Sequence, residues 1–331
     1  MEDVIIIGAG PCGLSAAIYL KNEGYNPLVI EKGNIVQAIY RYPTHQQFFS
    51  SSDKLEIGNM PFVIEDRKPR RNQALSYYRE VVKRQNIRVN SFEEVIKVEK
   101  QDDGIFHVLT KLDKNLGEKS YQARYIIIAT GYYDHPNLMG IPGENSPKVY
   151  HYFKEAHPFF DCDVVVIGGK NSAIDTTMEC HKAGARVTVI YRGSSYSKSI
   201  KPWILPEFES LVKHGKVNMI FDAEVTEIKE KSVVYMKDGK TSEIKNDIVF
   251  AMTGYHPDQS MLKSMGVDIE KDTGKPVYNP QTMETNVKGI FIAGVIAAGN
   301  DANEIFIENG RFHGDPISQT IVMRDKAASL I

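Results

Sequence analysis

The chain has 331 residues, of which 42% are hydrophobic and 25% are charged, and its formal net charge is −2 at pH 7. This composition is typical of a folded globular protein long enough for two domains, and the balanced charge argues against a nucleic-acid or membrane-surface partner. No apolar run approaches the roughly 18 to 20 residues of a membrane-spanning helix, and no signal-peptide pattern precedes the first strand. We therefore expect a cytoplasmic protein that acts on small molecules.

The first predicted strand begins almost at the N-terminus and runs directly into a glycine-rich turn. The run Val4–Ile7 is followed by GAGPCG, a complete G-x-G-x-x-G between a strand and a helix. In such a turn Gly8 permits the tight bend, Gly10 lets a pyrophosphate approach the backbone, and Gly13 lets the helix pack against the strand. The acidic Glu31 ends the next strand, where it can accept hydrogen bonds from a ribose. The pattern predicts a dinucleotide site.

A second opening of the same kind begins about 160 residues later. The segment DVVVIGGKNSAIDTTMECHKAGARVTVIYR, starting at Asp163, repeats the order strand, glycine-rich turn, helix, strand. Its turn fits G-x-x-x-x-A, but Lys170 stands where the second glycine usually lies. A lysine there either obstructs a pyrophosphate or places its ammonium beside a phosphate, and the sequence leaves both readings open. Two such openings predict two Rossmann-like nucleotide folds in an α/β protein.

The strand that follows the second helix suggests which coenzyme binds there. It ends without an acidic residue, and Arg192 and Lys198 follow it. A carboxylate would repel a 2′-phosphate, whereas a guanidinium pairs with it through two hydrogen bonds. We therefore predict NADPH rather than NADH. The alternative is that Arg192 is an ordinary solvated arginine.

A β-meander follows each opening and closes on a strand with the ending Thr-Gly. The predicted strands are Val95–Glu99, Phe106–Leu112 and Tyr125–Ala129 in the first half, and Val225–Ile228, Ser232–Lys237 and Asp247–Met252 in the second. One more apolar strand and glycine-rich turn, GIFIAGVIAAG, precedes a C-terminus compatible with a helix.

Taken in order, GAGPCG, IIIATG, VVIGGKNSAID, TGYHPD and GIFIAG resemble the two-dinucleotide-binding flavoproteins related to thioredoxin reductases. The resemblance covers nearly the whole chain. It implies a three-layer FAD domain of residues 1–133 and 256–331, into which an NADPH domain of residues 134–255 is inserted. It places hinges at Thr130-Gly131 and Thr253-Gly254. An aspartate commonly follows the glycine of the last turn in that superfamily, but here the residue is Val295, which puts a side-chain contact to the cofactor there in doubt.

The resemblance also supplies the two predicted sets of coenzyme contacts. The FAD set is Gly8, Gly10, Pro11, Cys12, Gly13, Glu31, Lys32, Val95, Thr130, Gly131, Gly294 and Val295. The NADPH set is Gly168, Gly169, Lys170, Asn171, Ser172, Ala173, Arg192, Lys198, Thr253 and Gly254.

The cysteines separate this chain from the dithiol reductases. Thioredoxin reductases carry C-x-x-C and glutathione-reductase types carry C-x4-C, but neither spacing occurs among Cys12, Cys162 and Cys180. Three widely spaced cysteines also argue against a disulfide framework and for a reducing compartment. The nine histidines show no H-x3-H or H-E-x-x-H spacing, so no metal site is predicted.

A narrower resemblance, through GAGPCG, YRYPTHQQFFSSSDKLEIG and GGKNSA, is to the YpdA-type flavoproteins, which are bacillithiol disulfide reductases of Firmicutes. It implies bacillithiol disulfide as the substrate, bacilliredoxin-type proteins as partners, and Cys12 as the catalytic thiol. A helix N-terminus lowers a thiol pKa, and a bound diphosphate opposes that shift. The alternative is that Cys12 only packs, as we expect of Cys162 and Cys180. We also expect a homo-oligomer.

Other functions remain open on the sequence alone. A ferredoxin or flavodoxin–NADP reductase and a flavin monooxygenase share this build without C-x-x-C. A redox sensor that binds flavin without turnover belongs to a different class. The second nucleotide fold disfavours the sensor, because a sensor needs no supply of hydride.

Overall fold

The computed structural model describes residues 1–113, 116–301 and 304–329. The chain forms two compact units. Unit 1 comprises Met1–Tyr40, Gln46–His135 and Tyr255–Ile331, and unit 2 comprises Arg41–His45 and Pro136–Gly254. The assignment of one coenzyme to each unit stays a prediction.

The elements follow in chain order. The strands are β1 (Glu2–Ile7), β2 (Leu28–Glu31), β3 (Arg88–Ser91), β4 (Glu93–Lys100), β5 (Phe106–Leu112), β6 (Glu118–Ile128), β7 (Val149–Tyr150), β8 (Asp163–Ile167), β9 (Arg186–Ile190), β10 (Asn218–Ile220), β11 (Ala223–Ile228), β12 (Ser232–Lys237), β13 (Lys240–Lys245), β14 (Ile248–Ala251) and β15 (Ile290–Ile292). The helices are α1 (Pro11–Asn22), α2 (Gln37–Arg41), α3 (Arg71–Arg84), α4 (Asn171–Lys182), α5 (Leu205–Lys213), α6 (Gln259–Ser264), α7 (Ile307–Gly310) and α8 (Gly314–Ala328).

The sheet of unit 1 is mixed, and its parallel part carries the first glycine-rich turn. Strands β3, β2, β1 and β6 lie in that order and run parallel, and β15 pairs with β6 in the same sense. The N-terminal half of β6 pairs antiparallel with β5, which pairs antiparallel with β4. The last four residues of β1 and of β6 are buried, as expected of parallel strands covered on both faces.

Unit 2 contains a parallel sheet and a separate antiparallel one. Strands β10, β9, β8, β14 and β7 form the parallel sheet in that order, while β11, β12 and β13 form a meander. Four of the five residues of β8 are buried.

The predicted α/β class and the internal repeat are confirmed, because β1–α1–β2 and β8–α4–β9 have the same order and the same parallel pairing. The predicted meander of the second half was incomplete. It omitted β13, whose sequence KTSEIK has almost no apolar residue and whose backbone is ordered by pairing with β12. None of the described helices is long and apolar enough to cross a membrane.

One carboxylate ties the C-terminal helix to the sheet of unit 1. Asp325 on α8 accepts hydrogen bonds from the hydroxyls of Tyr25 and Tyr125, at 2.8 and 2.7 Å, and two from the guanidinium of Arg124. Desolvation raises the pKa of the Asp325 carboxyl, but these donors outweigh it and hold the pKa below its ordinary value.

We expect Asp325→Asn to lower the free energy of unfolding of unit 1 by about 2 kcal/mol, because an amide turns two donors of its own toward groups that also donate. Urea unfolding followed by circular dichroism measures the change. Glu99→Gln is the control, because Glu99 forms an exposed ion pair with Lys97 and its loss should cost less than about 0.5 kcal/mol.

The same comparison has a pH dependence with a defined sign. A carboxyl whose pKa is depressed in the folded state contributes stability above its unfolded pKa, and that contribution is lost as the pH falls through the folded value. The difference in free energy of unfolding between wild type and Asp325→Asn should therefore have its full value at pH 7 and shrink below about pH 4. A difference that grows in acid would contradict the role given to Asp325.

Candidate functional site

The first glycine-rich turn is closely packed at two of its glycines and open at the third. Gly8 has φ +108°, and its N–H donates to the Ile30 carbonyl at 2.8 Å. A Cβ placed on Gly13 would lie 2.1 Å from the Gly8 carbonyl oxygen, whereas a Cβ on Gly10 would meet no atom within 4 Å. Pro11 is the first residue of α1, where its missing N–H costs no hydrogen bond. The open side of this turn is therefore at Gly10, where α1 begins.

The side chain of Cys12 fits a slot between two distant glycines. Its Sγ lies 3.0 Å from the position of a Cβ on Gly294 and 2.9 Å from that on Gly310. Gly294 has φ +81°, and its N–H donates to Nδ1 of His313 at 3.1 Å. The slot is formed by the loop after β15 and by α7, both in unit 1.

The surroundings of this slot disfavour the thiolate form of Cys12. Burial raises the pKa of Cys12 to about 12, and the carboxylate of Glu308 on α7 adds to the shift. The sequence left the direction of this shift open.

The acidic residue at the end of β2 supports the turn directly. Glu31 is buried, and its two carboxylate oxygens accept hydrogen bonds from the backbone N–H groups of Ala9 and Gly33, at 2.8 and 2.7 Å. Desolvation raises its pKa despite these two bonds. The next residue, Lys32, forms an ion pair of 2.7 Å with Asp134. Each oxygen of Glu31 keeps a lone pair for a ribose hydroxyl.

The other residues of the predicted FAD set lie in three places in unit 1. Thr130 follows β6, and its backbone nitrogen is 3.3 Å from the position of a Cβ on Gly8. Gly131 beside it has φ +72°. Val295 begins a short 3-10 helix directly after Gly294. Val95 is buried on β4, opposite Thr110 of β5 and elsewhere in the sheet.

The second glycine-rich turn reproduces the first in unit 2. Gly168 has φ +137°, and its N–H donates to the Ile190 carbonyl at 3.0 Å, as Gly8 does in the first turn. Lys170 caps α4 with φ −108° and ψ −172°, an extended conformation open to any residue, and its side chain is exposed. The lysine therefore introduces no backbone strain. Ala173, which stands where the first turn has its last glycine, is buried.

The loop after β9 is anchored to the start of α4. Asn171 donates from Nδ2 to the Ser199 carbonyl and accepts from the Lys201 N–H, both at 2.9 Å. Ser172 beside it is exposed. The exposed Arg192 and Lys198 lie in the anchored loop.

An aromatic ring lies beside this second turn. Cβ atoms added to Gly169 or Gly193 would come within 2.4 and 2.5 Å of the ring of Tyr191, so both positions exclude a larger residue. At the end of the unit, Thr253 donates from its hydroxyl to the Asn137 carbonyl at 2.6 Å. Gly254 has φ +93°, and its carbonyl accepts from the Asn137 N–H.

Sequence reasoning missed the residues of α7 and the turn after it. Gly310 packs against Cys12, and His313 accepts from the N–H of Gly294 on the other side of the slot, although both follow Cys12 by about 300 positions. Gly310 ends α7 without a positive φ, and the close approach of Cys12 explains the glycine there. Desolvation lowers the pKa of His313, whose Nδ1 accepts the hydrogen bond from the Gly294 N–H.

The two turns are suited to hold dinucleotides. Each presents the N-terminus of a 12-residue helix after an extended cap, and the first has open space where a Cβ would otherwise lie. Free N–H groups and the positive end of the helix dipole favour a diphosphate at such a place. No cluster of three or more His, Cys, Asp or Glu side chains suited to a metal ion occurs in residues 1–113, 116–301 and 304–329.

Comparisons with known proteins agree with this geometry. The sequence model of the family described as "Pyridine nucleotide-disulphide oxidoreductase" matches residues 5–294. The chain is 63% identical to the bacilliredoxin reductase Bdr of Bacillus subtilis (strain 168), with 98% of each chain covered. A solved structure of the bacillithiol disulfide reductase Bdr (YpdA) from Bacillus cereus is 64% identical and has a TM-score of 0.96, covering 98% of this chain and 99% of that one. Thioredoxin reductase of T. acidophilum, at 22% identity and a TM-score of 0.74 over 98% of both chains, shares the fold. The predicted resemblance is confirmed.

Proposed function

The chain belongs to the pyridine nucleotide-disulphide oxidoreductase family, and from this premise we propose that it reduces bacillithiol disulfide. Its class as an oxidoreductase that uses FAD and NADPH follows from the family and confirms the prediction from the sequence. The substrate rests on one observation, the similarity over 98% of the chain to a solved bacillithiol disulfide reductase.

We assign the two coenzymes to the two turns. The first turn with Glu31 would hold FAD, and the second turn with Arg192 would hold NADPH. The residues proposed for FAD are Gly8, Gly10, Pro11, Cys12, Gly13, Glu31, Lys32, Val95, Thr130, Gly131, Gly294 and Val295. Those proposed for NADPH are Gly168, Gly169, Lys170, Asn171, Ser172, Ala173, Arg192, Lys198, Thr253 and Gly254. FAD held by the first set would supply two-electron transfer between NADPH and the disulfide.

Cys12 is the proposed thiol of the reaction. Its Sγ attacks one sulfur of the substrate, the substrate S–S bond breaks as the new S–S bond forms, and the thiol proton ends on the leaving sulfur. A hydride equivalent from NADPH, which carries two electrons and one proton, and a second proton from solvent then return Cys12 to the thiol and release the second substrate half as a thiol. The net reaction converts one disulfide, NADPH and a proton to two thiols and NADP⁺. No neighbouring dithiol is needed, in keeping with the three free cysteines of the chain.

We expect Cys12→Ser to lose turnover of bacillithiol disulfide by at least about a hundredfold, because a hydroxyl does not exchange with disulfides. The same variant should keep its flavin, and NADPH should bleach the flavin absorbance at the wild-type rate. Cys180→Ser is the control, because Cys180 is buried in the core of unit 2. The measurement is NADPH oxidation with a panel of low-molecular-weight disulfides, under anaerobic conditions.

Other outcomes of this experiment identify the alternatives. Full turnover by Cys12→Ser would remove the thiol from the mechanism. Fast reduction of ferredoxin with no disulfide reduction would favour a ferredoxin–NADP reductase, a function carried by a relative from Ignicoccus hospitalis that is 31% identical over 89% of this chain. Oxygen insertion would favour a monooxygenase.

We place the reaction in the cytoplasm, with bacilliredoxin-type proteins as partners. The three unpaired cysteines support a reducing compartment, and the name of the B. subtilis relative supports the partner. The homo-oligomer stays a prediction that analytical ultracentrifugation would test.

A further inference from the structure

The end of β9 in unit 2 repeats the end of β2 in unit 1, except for one side chain. In unit 1 the N–H of Gly8, in the first glycine-rich turn, donates to the carbonyl of Ile30 on β2. The next residue is Glu31, whose carboxylate accepts hydrogen bonds from the N–H groups of Ala9 and Gly33. The acidic side chain therefore links the turn to the loop that follows β2.

In unit 2 the corresponding side chain is an aromatic ring. The N–H of Gly168 donates to the carbonyl of Ile190 on β9, and the next residue is Tyr191. A Cβ on Gly169 would lie 2.4 Å from Cγ of Tyr191, and a Cβ on Gly193 would lie 2.5 Å from Cε1. Gly169 and Gly193 stand at the two positions that donate to the acidic side chain in unit 1. The ring therefore links the same two segments, by packing instead of hydrogen bonds.

The ring explains why both of these positions carry glycine. Neither Gly169 nor Gly193 has a positive φ, so the backbone alone does not require glycine at either place. In the part of the chain that the structure describes, their N–H groups donate to no protein acceptor. The two backbone donors of unit 1 are thus also present in unit 2, but the ring replaces the carboxylate that would accept from them.

The residue held between these contacts is Arg192. The Ala223 N–H donates to the carbonyl of Tyr191 at 3.2 Å. The Asp222 N–H donates to the carbonyl of Gly193 at 3.1 Å. The backbone is therefore held on both sides of Arg192, whose own side chain is exposed. Because the ring of Tyr191 is packed on the glycine-rich turn, it fixes where Arg192 lies relative to that turn.

We propose that Tyr191 determines coenzyme specificity by positioning Arg192 for a 2′-phosphate without adding a negative charge to the site. This role rests on the proposed assignment of NADPH to the second turn and adds a residue to it. A carboxylate at this position accepts from the 2′-hydroxyl of NADH and repels a 2′-phosphate. The ring forms the same link between turn and loop and carries no charge.

The sharpest test gives unit 2 the side chain that unit 1 has at this position. In Tyr191→Glu the N–H groups of Gly169 and Gly193 can hold the carboxylate as those of unit 1 hold Glu31. We expect the FAD-loaded variant to bind 2′,5′-ADP at least about tenfold more weakly than wild type, because like charges repel. It should bind 5′-AMP at least as tightly as wild type, because a carboxylate accepts from the ribose hydroxyl. Calorimetric titration measures both affinities, and a retained preference for 2′,5′-ADP would overturn the role of Tyr191.

Two other substitutions separate the ring from its hydroxyl. Tyr191→Phe keeps the ring and should keep the wild-type preference for 2′,5′-ADP. Tyr191→Ala removes the ring, and we expect it to weaken the binding of 2′,5′-ADP by about tenfold, since charge-assisted pairing depends on geometry. Its affinity for 5′-AMP should stay within about twofold of wild type, which also shows that the site is folded. Loss of the preference in Tyr191→Phe would assign the effect to the hydroxyl and contradict positioning by the ring.

A double substitution tests whether Tyr191 acts through Arg192. Substitutions that act through one contact are not additive, so adding Tyr191→Ala to Arg192→Ala should change the affinity for 2′,5′-ADP by less than about twofold. In stopped-flow reduction of the flavin, Tyr191→Ala should raise the NADPH concentration at half-maximal rate by about tenfold and leave the maximal rate within about twofold of wild type. Additive losses of affinity, or a lower maximal rate at an unchanged NADPH requirement, would overturn the positioning role.

Tyr235→Ala is the matched control, because it removes another half-buried tyrosine ring from unit 2, in strand β12. It should keep the wild-type preference. If Tyr191→Ala fails to fold, Tyr191→Glu still decides, since its carboxylate has two backbone donors. A wild-type enzyme that binds 2′,5′-ADP no better than 5′-AMP would overturn the NADPH assignment together with the role of Tyr191. A preference that persists in both Tyr191→Ala and Tyr191→Glu would overturn the role of Tyr191 alone.

Discussion

Gly13→Ala is expected to yield a protein that retains little or no flavin and unfolds more easily than wild type. The added Cβ would lie 2.1 Å from the Gly8 carbonyl oxygen and 3.2 Å from the Ala129 side chain. Overpacking of a closed site costs typically 1 to 3 kcal/mol, and here the cost should reach about 3 kcal/mol because the opposing atom is backbone. The strand β1 and helix α1 must separate to accept it, which opens the turn that receives the diphosphate.

Urea unfolding of the apoprotein and the ratio of flavin to chain in the purified protein measure both effects. Gly10→Ala is the matched control, because it adds the same methyl group three residues earlier in the same turn. A Cβ on Gly10 meets no atom within 4 Å, and the φ of −72° suits alanine. Its apoprotein should therefore be as stable as wild type.

Both variants should nevertheless bind FAD more weakly than wild type. The methyl group of Gly10→Ala occupies the space at the start of α1 that the diphosphate requires, so we expect at least about tenfold weaker FAD binding. Wild-type FAD affinity in Gly10→Ala would show that the first turn does not hold the diphosphate. Wild-type stability in Gly13→Ala would show that α1 can move away from β1 at little cost.

The parallel strands were predictable because their neighbours cover both faces. Each βαβ opening combines an unbroken aliphatic run with glycines at fixed spacing, and local sequence therefore carries the signal for β1 and β8. The strand β13 was not predictable in the same way. Its order comes from antiparallel pairing with β12, and its exposed, polar residues leave no pattern in the sequence.

The site was predictable as far as its residues are local. The turn glycines and Glu31 follow from one βαβ unit, but the surroundings of Cys12 come from α7 and from the loop after β15. The sequence therefore could not say that Gly294 and Gly310 enclose the thiol. It also left the direction of the thiol pKa open, because that direction depends on burial, a tertiary property.

Arg192→Ala is expected to raise the KM for NADPH by about 10- to 100-fold and to change the KM for NADH by less than about twofold. The guanidinium lies exposed directly after β9, whose carboxyl end also meets the second glycine-rich turn through the bond from Gly168 N–H to Ile190. Bidentate pairing with a 2′-phosphate is worth roughly 1.5 to 3 kcal/mol, which converts to the stated factor. NADH has a hydroxyl at that position and forms no such pair.

The affinities of 2′,5′-ADP and 5′-AMP test the contact to the 2′-phosphate without electron transfer. Arg192→Ala should weaken binding of 2′,5′-ADP toward the level of 5′-AMP, and Lys198→Ala should do so to a smaller extent, because an ammonium pairs with phosphate as a point charge. Lys216→Ala is the control, because the substitution removes the same charge from unit 2 at a distant place. Lys216 lines a cavity at the amino ends of β8 and β9, opposite the turn. Equal losses for NADPH and NADH in Arg192→Ala would mean that the residue supports the fold of the loop. If Lys216→Ala weakened the binding of 2′,5′-ADP as much as Arg192→Ala does, the effect would come from the overall charge of the unit.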